Sequence, residues 1–111
     1  MTTSVAWIDG QWGTAASLQL PLDDRALILA DGLFETVLIR NGGPQLLQEH
    51  LQRWSESAAL LGMDPPPQRN ALEPLITEAI QRSQLSGADG ALRLNWSRGS
   101  TPQCGIALPA P

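Results

Sequence analysis

The stretch LADGLFETVLIRNG, residues 29–42, sets Asp31 and Glu35 into an otherwise apolar run, with Gly32 between them and Arg40 near its end. From residue 33 to 40 the β-branched and aromatic content favours a strand. The pleat then puts Phe34, Thr36, Leu38 and Arg40 on one face and Leu33, Glu35, Val37 and Ile39 on the other. The NGG that follows at 41–43 is a hairpin turn signal, because Asn and Gly tolerate positive φ. The segment PQLL, 44–47, is expected to return as the partner strand. Upstream, an Asp N-cap in PLDDRALILADG predicts a short helical turn that ends near Gly32.

Working outward, VAWIDGQW carries Asp9-Gly10 between two short apolar pieces and predicts a hairpin. Residues 13–20 read as a loop entering a short strand. Beyond the central strand, Leu47, Leu51, Trp54, Ala58 and Leu61 recur at helical spacing and predict an amphipathic helix over about 47–61, stopped by Gly62. The DPPP at 64–67 is a rigid connector. A second helix is expected over roughly 68–85, with Leu72, Leu75, Ile76, Ala79 and Ile80 inward. After the loop SGADG, ALRLNWSRG alternates cleanly: Leu92, Leu94 and Trp96 share one face, and Ala91, Arg93, Asn95 and Ser97 the other. One further short strand is expected over 104–108. The order gives an α+β fold, an antiparallel sheet with two amphipathic helices packed on one side.

The 111 residues make one domain's worth of chain, 42% hydrophobic and 16% charged, enough to build a core. A net charge of −4 argues against nucleic acid as the main partner. All seven basic residues are arginine, so any reaction that needs a lysine amine cannot run inside this chain. The single cysteine, Cys104, excludes an internal disulfide framework and fits a reducing compartment. One His and one Cys argue against a transition-metal site. No apolar run has the length of a membrane span and no signal-peptide pattern opens the chain, so a cytoplasmic protein is expected.

Chemistry could sit in three places. If the alternating strands share an outer face, Thr36, Arg40, Arg93, Asn95 and Ser97 make it polar and cationic. Such a face is either simply solvated, the commoner case, or the wall of a cleft for a small anion. His50 and Arg53 stand at i, i+3 on the flank of the first long helix, as an exposed flank or as an anion fork. Asp31 and Glu35 are candidate general acid and base, against turn capping for Asp31 and a sheet-face ion pair for Glu35.

Taken in order, WIDG, DRALILADGLFET, NGG, EHLQRW, SAALLG and LRLNWSRG resemble the small N-terminal domain of the class IV (fold-type IV) pyridoxal-phosphate-dependent aminotransferases. That family includes branched-chain and D-amino acid aminotransferases and aminodeoxychorismate lyase. The resemblance runs from Trp7 to Gly99. It implies pyridoxal 5′-phosphate as cofactor, with Arg53 of the His-x-x-Arg motif on its phosphate. It implies that Phe34, Thr36 and Leu38 line the active site and that Arg93 reaches toward the substrate carboxylate. Asp24-Arg25 and Asp31-Gly32 match the family's approach to this strand and are read as structural, Asp31 being the better functional candidate of the two acids, and His50 matches the motif without an assigned role. The implied substrate is an amino acid or an aminodeoxychorismate-like molecule. LADGLFET with SRG stands closer to the lyases than to the branched-chain enzymes.

Two departures qualify the resemblance. The family's Schiff-base lysine lies in a C-terminal catalytic domain, and this chain has no lysine. Residues 1–111 are therefore expected to be the N-terminal domain alone, inactive by itself, with the catalytic domain absent; the alternative is a stand-alone binding domain that has lost catalysis. After SRG the family often places an Arg, or an Arg and a His, where this chain has Gln103 and Gly105. That argues against D-amino acid aminotransferase specificity. Family members dimerise, so a homodimer or a missing partner domain is expected.

Overall fold

The computed structural model describes residues 3–100. Its centre is the stretch quoted above: β3, Gly32–Arg40, pairs antiparallel with β5, Gly90–Ser97, in a register running from Gly32↔Ser97 to Ile39↔Gly90. The alternation works as the sequence predicts. Val37 and Ile39 are fully enclosed on one face, while Phe34, Thr36, Leu38 and Arg40 are exposed on the other.

Two helices cover the apolar face. Helix α2, Leu47–Leu60, buries Leu47, Leu51, Trp54 and Ala58; helix α3, Arg69–Arg82, buries Leu72 and Ile76. Leu47, Leu51, Trp54, Leu72 and Ile76 close over Val37, with Leu33, Ile80, Leu92, Leu94 and Trp96 packed against them. Trp54 and Trp96 meet edge to face with centroids 6.1 Å apart, the geometry that aligns a ring edge with a neighbour's π-face. The Trp96 indole N–H donates to the Asp64 carbonyl at 2.9 Å and so ties β5 to the connector between the helices. The α+β class and the one-sided helix layer stand as expected.

Several boundaries differ, each for a local reason. The return strand β4 is only Gly43–Pro44, not residues 44–47. Pro44 has no N–H to continue a ladder. Leu46 then turns left-handed (φ 53°), and Leu47 begins the helix whose stripe the core needs. Asn41 and Gly42 both take positive φ in the tight turn, and a Cβ on Gly42 would overlap the Ser86 carbonyl. Past Gly13, which ends a strand, residues 14–20 form none. Thr14 and Ser17 bond each other's backbone through their hydroxyls, which diverts those groups from a ladder. Helix α1, Arg25–Leu29, is capped by the Asp24 carboxylate on the Ala26 N–H, as predicted, but its left-handed closing residue is Ala30 rather than Gly32. Helix α3 stops at Arg82, with Gln84 left-handed beyond it. Leu61 lies past the end of α2 and is half exposed rather than buried.

The Asp9-Gly10 hairpin forms between β1, Ala6–Ile8, and β2, Gln11–Gly13. It is held to the end of α3 by the Arg82 guanidinium over the Trp12 ring and by the Thr3 N–H on the Ser83 carbonyl. The strand expected over 104–108 lies outside the described residues. No described helix is long and apolar enough to cross a membrane.

Candidate functional site

Glu35 is the one charged residue in the inward row of β3, between Leu33 and Val37, and it is 7% exposed. A carboxylate there needs partners. Helix α2 brings two, from positions one helical turn apart. His50 Nδ1 lies 2.7 Å from one carboxylate oxygen, and Arg53 grips both oxygens through Nε and Nη2, at 2.8 and 2.7 Å. An ionised carboxylate only accepts, so the His50 proton sits on Nδ1. The Arg53 fork, with His50 in support, outweighs burial and holds the Glu35 carboxyl below its ordinary range; Glu35 in turn raises the Arg53 guanidinium. The Arg53 side chain is nevertheless 68% exposed, and its Nη1 has no hydrogen-bond partner among the described residues. Its guanidinium is thus aimed from within and open from without.

A second cluster closes the end of the sheet where β3 begins. Burial pushes the Asp31 carboxyl up, but Arg25 and Arg98 together hold it below its ordinary range. Both guanidiniums donate through Nε to Asp31 Oδ2, at 2.7 and 2.8 Å. Arg98 also donates to the Leu61 and Gly62 carbonyls beyond α2, and the Arg25 N–H to the Gly99 carbonyl. Beside them the Asp24 carboxylate accepts the Ser97 hydroxyl at 2.6 Å. The cluster therefore pins α1, the end of α2 and the end of the β3–β5 pair where β3 begins and β5 stops to one point.

The third set lies on the uncovered sheet face. Thr36 and Arg93 are register partners, as are Phe34 and Asn95, and Leu38 and Ala91. The Arg93 guanidinium lies over the Phe34 ring, 4.1 Å from its centroid. The structure thus brings Phe34, Thr36, Leu38 and Arg93 together on one open face. It does not bring Arg53 to them: α2 packs under the opposite face, and Arg53 reaches the sheet from below.

The pairing of Glu35 with His50 and Arg53 was missed at the level of sequence, although a signal existed. A charge in a buried strand row and a His-x-x-Arg pair beside a buried helical stripe each ask for a partner, and each supplies the other's. The Asp31–Arg98 contact, between residues 67 apart in the chain, left no such signal.

The small α+β layer thus carries an exposed arginine below its sheet and Arg40 and Arg93 on the face above it. Residues 32–109 match the family model described as amino-transferase class IV, and the chain belongs to that family. It is 41% identical over 96 residues to the bifunctional aminodeoxychorismate lyase / D-amino acid transaminase of Mycobacterium tuberculosis, covering 86% of this chain and 33% of that protein. An aminotransferase structure from the same organism, in PLP-bound form, superposes with a TM-score of 0.76 at 37% identity, covering 89% of this chain and 35% of the other. The 4-amino-4-deoxychorismate lyase of Pseudomonas aeruginosa gives 0.65 at 34% identity, covering 85% and 32%. The chain spans about a third of the length of these relatives, and the fold is that of the N-terminal part of fold-type IV aminotransferases.

Proposed function

We propose that this chain supplies the phosphate-binding arginine and the substrate wall of a pyridoxal-phosphate-dependent aminotransferase or aminodeoxychorismate-type lyase. The observation that carries this reading is Arg53, which Glu35 holds from inside while Nη1 and most of the side chain face solvent. An arginine fixed on one edge and free on the other suits a phosphate dianion. Pyridoxal phosphate fits that position, and when bound it would supply an electron sink for bonds at the substrate α-carbon. The side chains of this chain bind and orient. Arg53 takes the phosphate, with Glu35 and His50 setting the plane of its guanidinium. Phe34, Thr36, Leu38 and Arg93 receive the substrate, Arg93 at a carboxylate. No lysine is among these 111 residues, so the amine that would anchor the cofactor covalently, and with it turnover, has to come from outside them; a second copy of the same residues brings none.

Pyridoxamine 5′-phosphate tests this without interference from imine formation at the N-terminus, because it has no aldehyde. Tryptophan fluorescence is expected to quench saturably in the parent. Arg53→Ala is expected to weaken binding by roughly tenfold or more, since a charge-assisted bond contributes about 1.5–3 kcal/mol. Equal binding by the parent and Arg53→Ala would overturn the assignment of Arg53.

A further inference from the structure

The arginine on the open face is more constrained than a substrate-wall residue needs to be. Arg93 is on an exposed strand position, where a long side chain ordinarily samples many rotamers. Here two neighbours restrict it. Its Nε donates to Asn95 Oδ1 at 2.9 Å, and its guanidinium lies 4.1 Å from the centre of the Phe34 ring. Asn95 is two residues along the same strand and Phe34 is the register partner of Asn95, so one cross-strand pair holds the guanidinium by edge and by face. With Nε used, the side-on fork of Nε and one terminal nitrogen is closed to a ligand. The end-on pair, Nη1 and Nη2, makes no hydrogen bond among the described residues. A carboxylate matches two parallel N–H donors.

The surroundings agree in charge and shape. The residues that β3 and β5 place on this face include Arg40 and Arg93 and no acid. Because Arg93 leans toward Phe34 and Asn95, the neighbouring pair Leu38 and Ala91 stays exposed as an apolar floor.

We propose that Phe34 and Asn95 are positioning residues that pre-organise Arg93 as an end-on fork for the carboxylate of a small monocarboxylate with an apolar body. The proposal rests on the substrate-wall reading above and adds the two residues that set its geometry. Fixing the fork in advance removes an ordering cost that binding would otherwise carry.

The test uses the full chain labelled with 15N, with benzoate as probe and benzamide as its neutral isostere. The arginine Nε–H spectrum reports Arg93 directly. In the parent, the Arg93 Nε–H is expected to exchange slowly with water and to shift saturably with benzoate but not with benzamide. Asn95→Ala and Phe34→Leu are each expected to speed that exchange and to weaken benzoate binding roughly 3- to 10-fold, as expected for one side chain that must now be ordered on binding. Phe34→Tyr, which keeps the ring face under the guanidinium, is expected to retain the slow Arg93 Nε–H exchange of the parent, and backbone amide shifts elsewhere in β3 and β5 confirm that each variant is folded. Parent-like affinity in Asn95→Ala and Phe34→Leu would overturn the positioning proposal while leaving the substrate-wall reading intact. No benzoate-specific shift in the parent, or equal shifts with benzamide, would overturn both.

Discussion

Replacing Asp31 with alanine is expected to cost about 3–5 kcal/mol, the range for removing one partner from a buried ion pair. Arg25 and Arg98 both donate to a single oxygen of this carboxylate, and their side chains are only 3% and 10% exposed. Without Asp31 two guanidiniums stay buried with no counter-charge between them. Arg25 already has a buried Nη1 without a partner among the described residues, so little of the loss can be recovered by re-pairing. Against a total stability of about 5–15 kcal/mol for a domain of this size, the thermal midpoint should fall by roughly 15–25 °C. Asp31→Asn keeps an acceptor while losing the charge and should fall less. The same site predicts an acid dependence. Asp31 and Glu35 both have carboxyls held below their ordinary values in the folded state. Their contribution is therefore present above the unfolded carboxylate range, about pH 4, and is lost as pH falls through the lower folded values. Thermal midpoints measured from pH 7 to pH 3 should fall in the parent and fall less steeply in Asp31→Ala, which has one depressed carboxyl fewer. An Asp31→Ala variant as stable as the parent at pH 7 would remove the cluster from the account of the fold.

The second large effect belongs to Trp54. It is 3% exposed, fills the space between α2 and the sheet, and meets Trp96 edge to face. Trp54→Ala is expected to cost about 3–5 kcal/mol, the transfer of a large ring plus the cavity it leaves. Trp54→Phe separates packing from polarity. The Trp54 indole N–H is buried and has no hydrogen-bond partner among the described residues. Phe removes that unpaired group and keeps a ring against Trp96, so two opposing changes offset and the loss should stay below about 1.5 kcal/mol. Urea unfolding curves of the two variants decide this. A Phe variant as damaged as the Ala variant would mean that the indole nitrogen finds a partner in solution.

The layout of the fold was legible because period and burial agree. The inward and outward rows of β3 and β5 follow strict alternation, and the helical stripe from Leu47 to Ala58 follows the 3.6-residue repeat. What the sequence hid was set by competition over short distances. The return strand expected at 44–47 lost to Pro44 and to the helix that Leu47 opens. The strand expected near residues 13–20 lost to hydroxyl bonds between Thr14 and Ser17. In the site, Phe34, Thr36, Leu38 and Arg93 could be placed on one face by counting alone. The partners of Glu35, and Arg98 for Asp31, could not, because ion pairs across 15 to 67 residues depend on where distant elements land.

Arg53, steadied by Glu35, is the residue we propose as the phosphate arginine of this domain. Chemical-shift mapping of the 15N-labelled chain with pyridoxamine 5′-phosphate tests it most directly. Saturable shifts are expected at the Arg53 Nε–H and at the backbone amides of residues 50–54, both lost in Arg53→Ala. Shifts that instead gather on the exposed arginines of α3, Arg69 and Arg82, and persist in Arg53→Ala would contradict it.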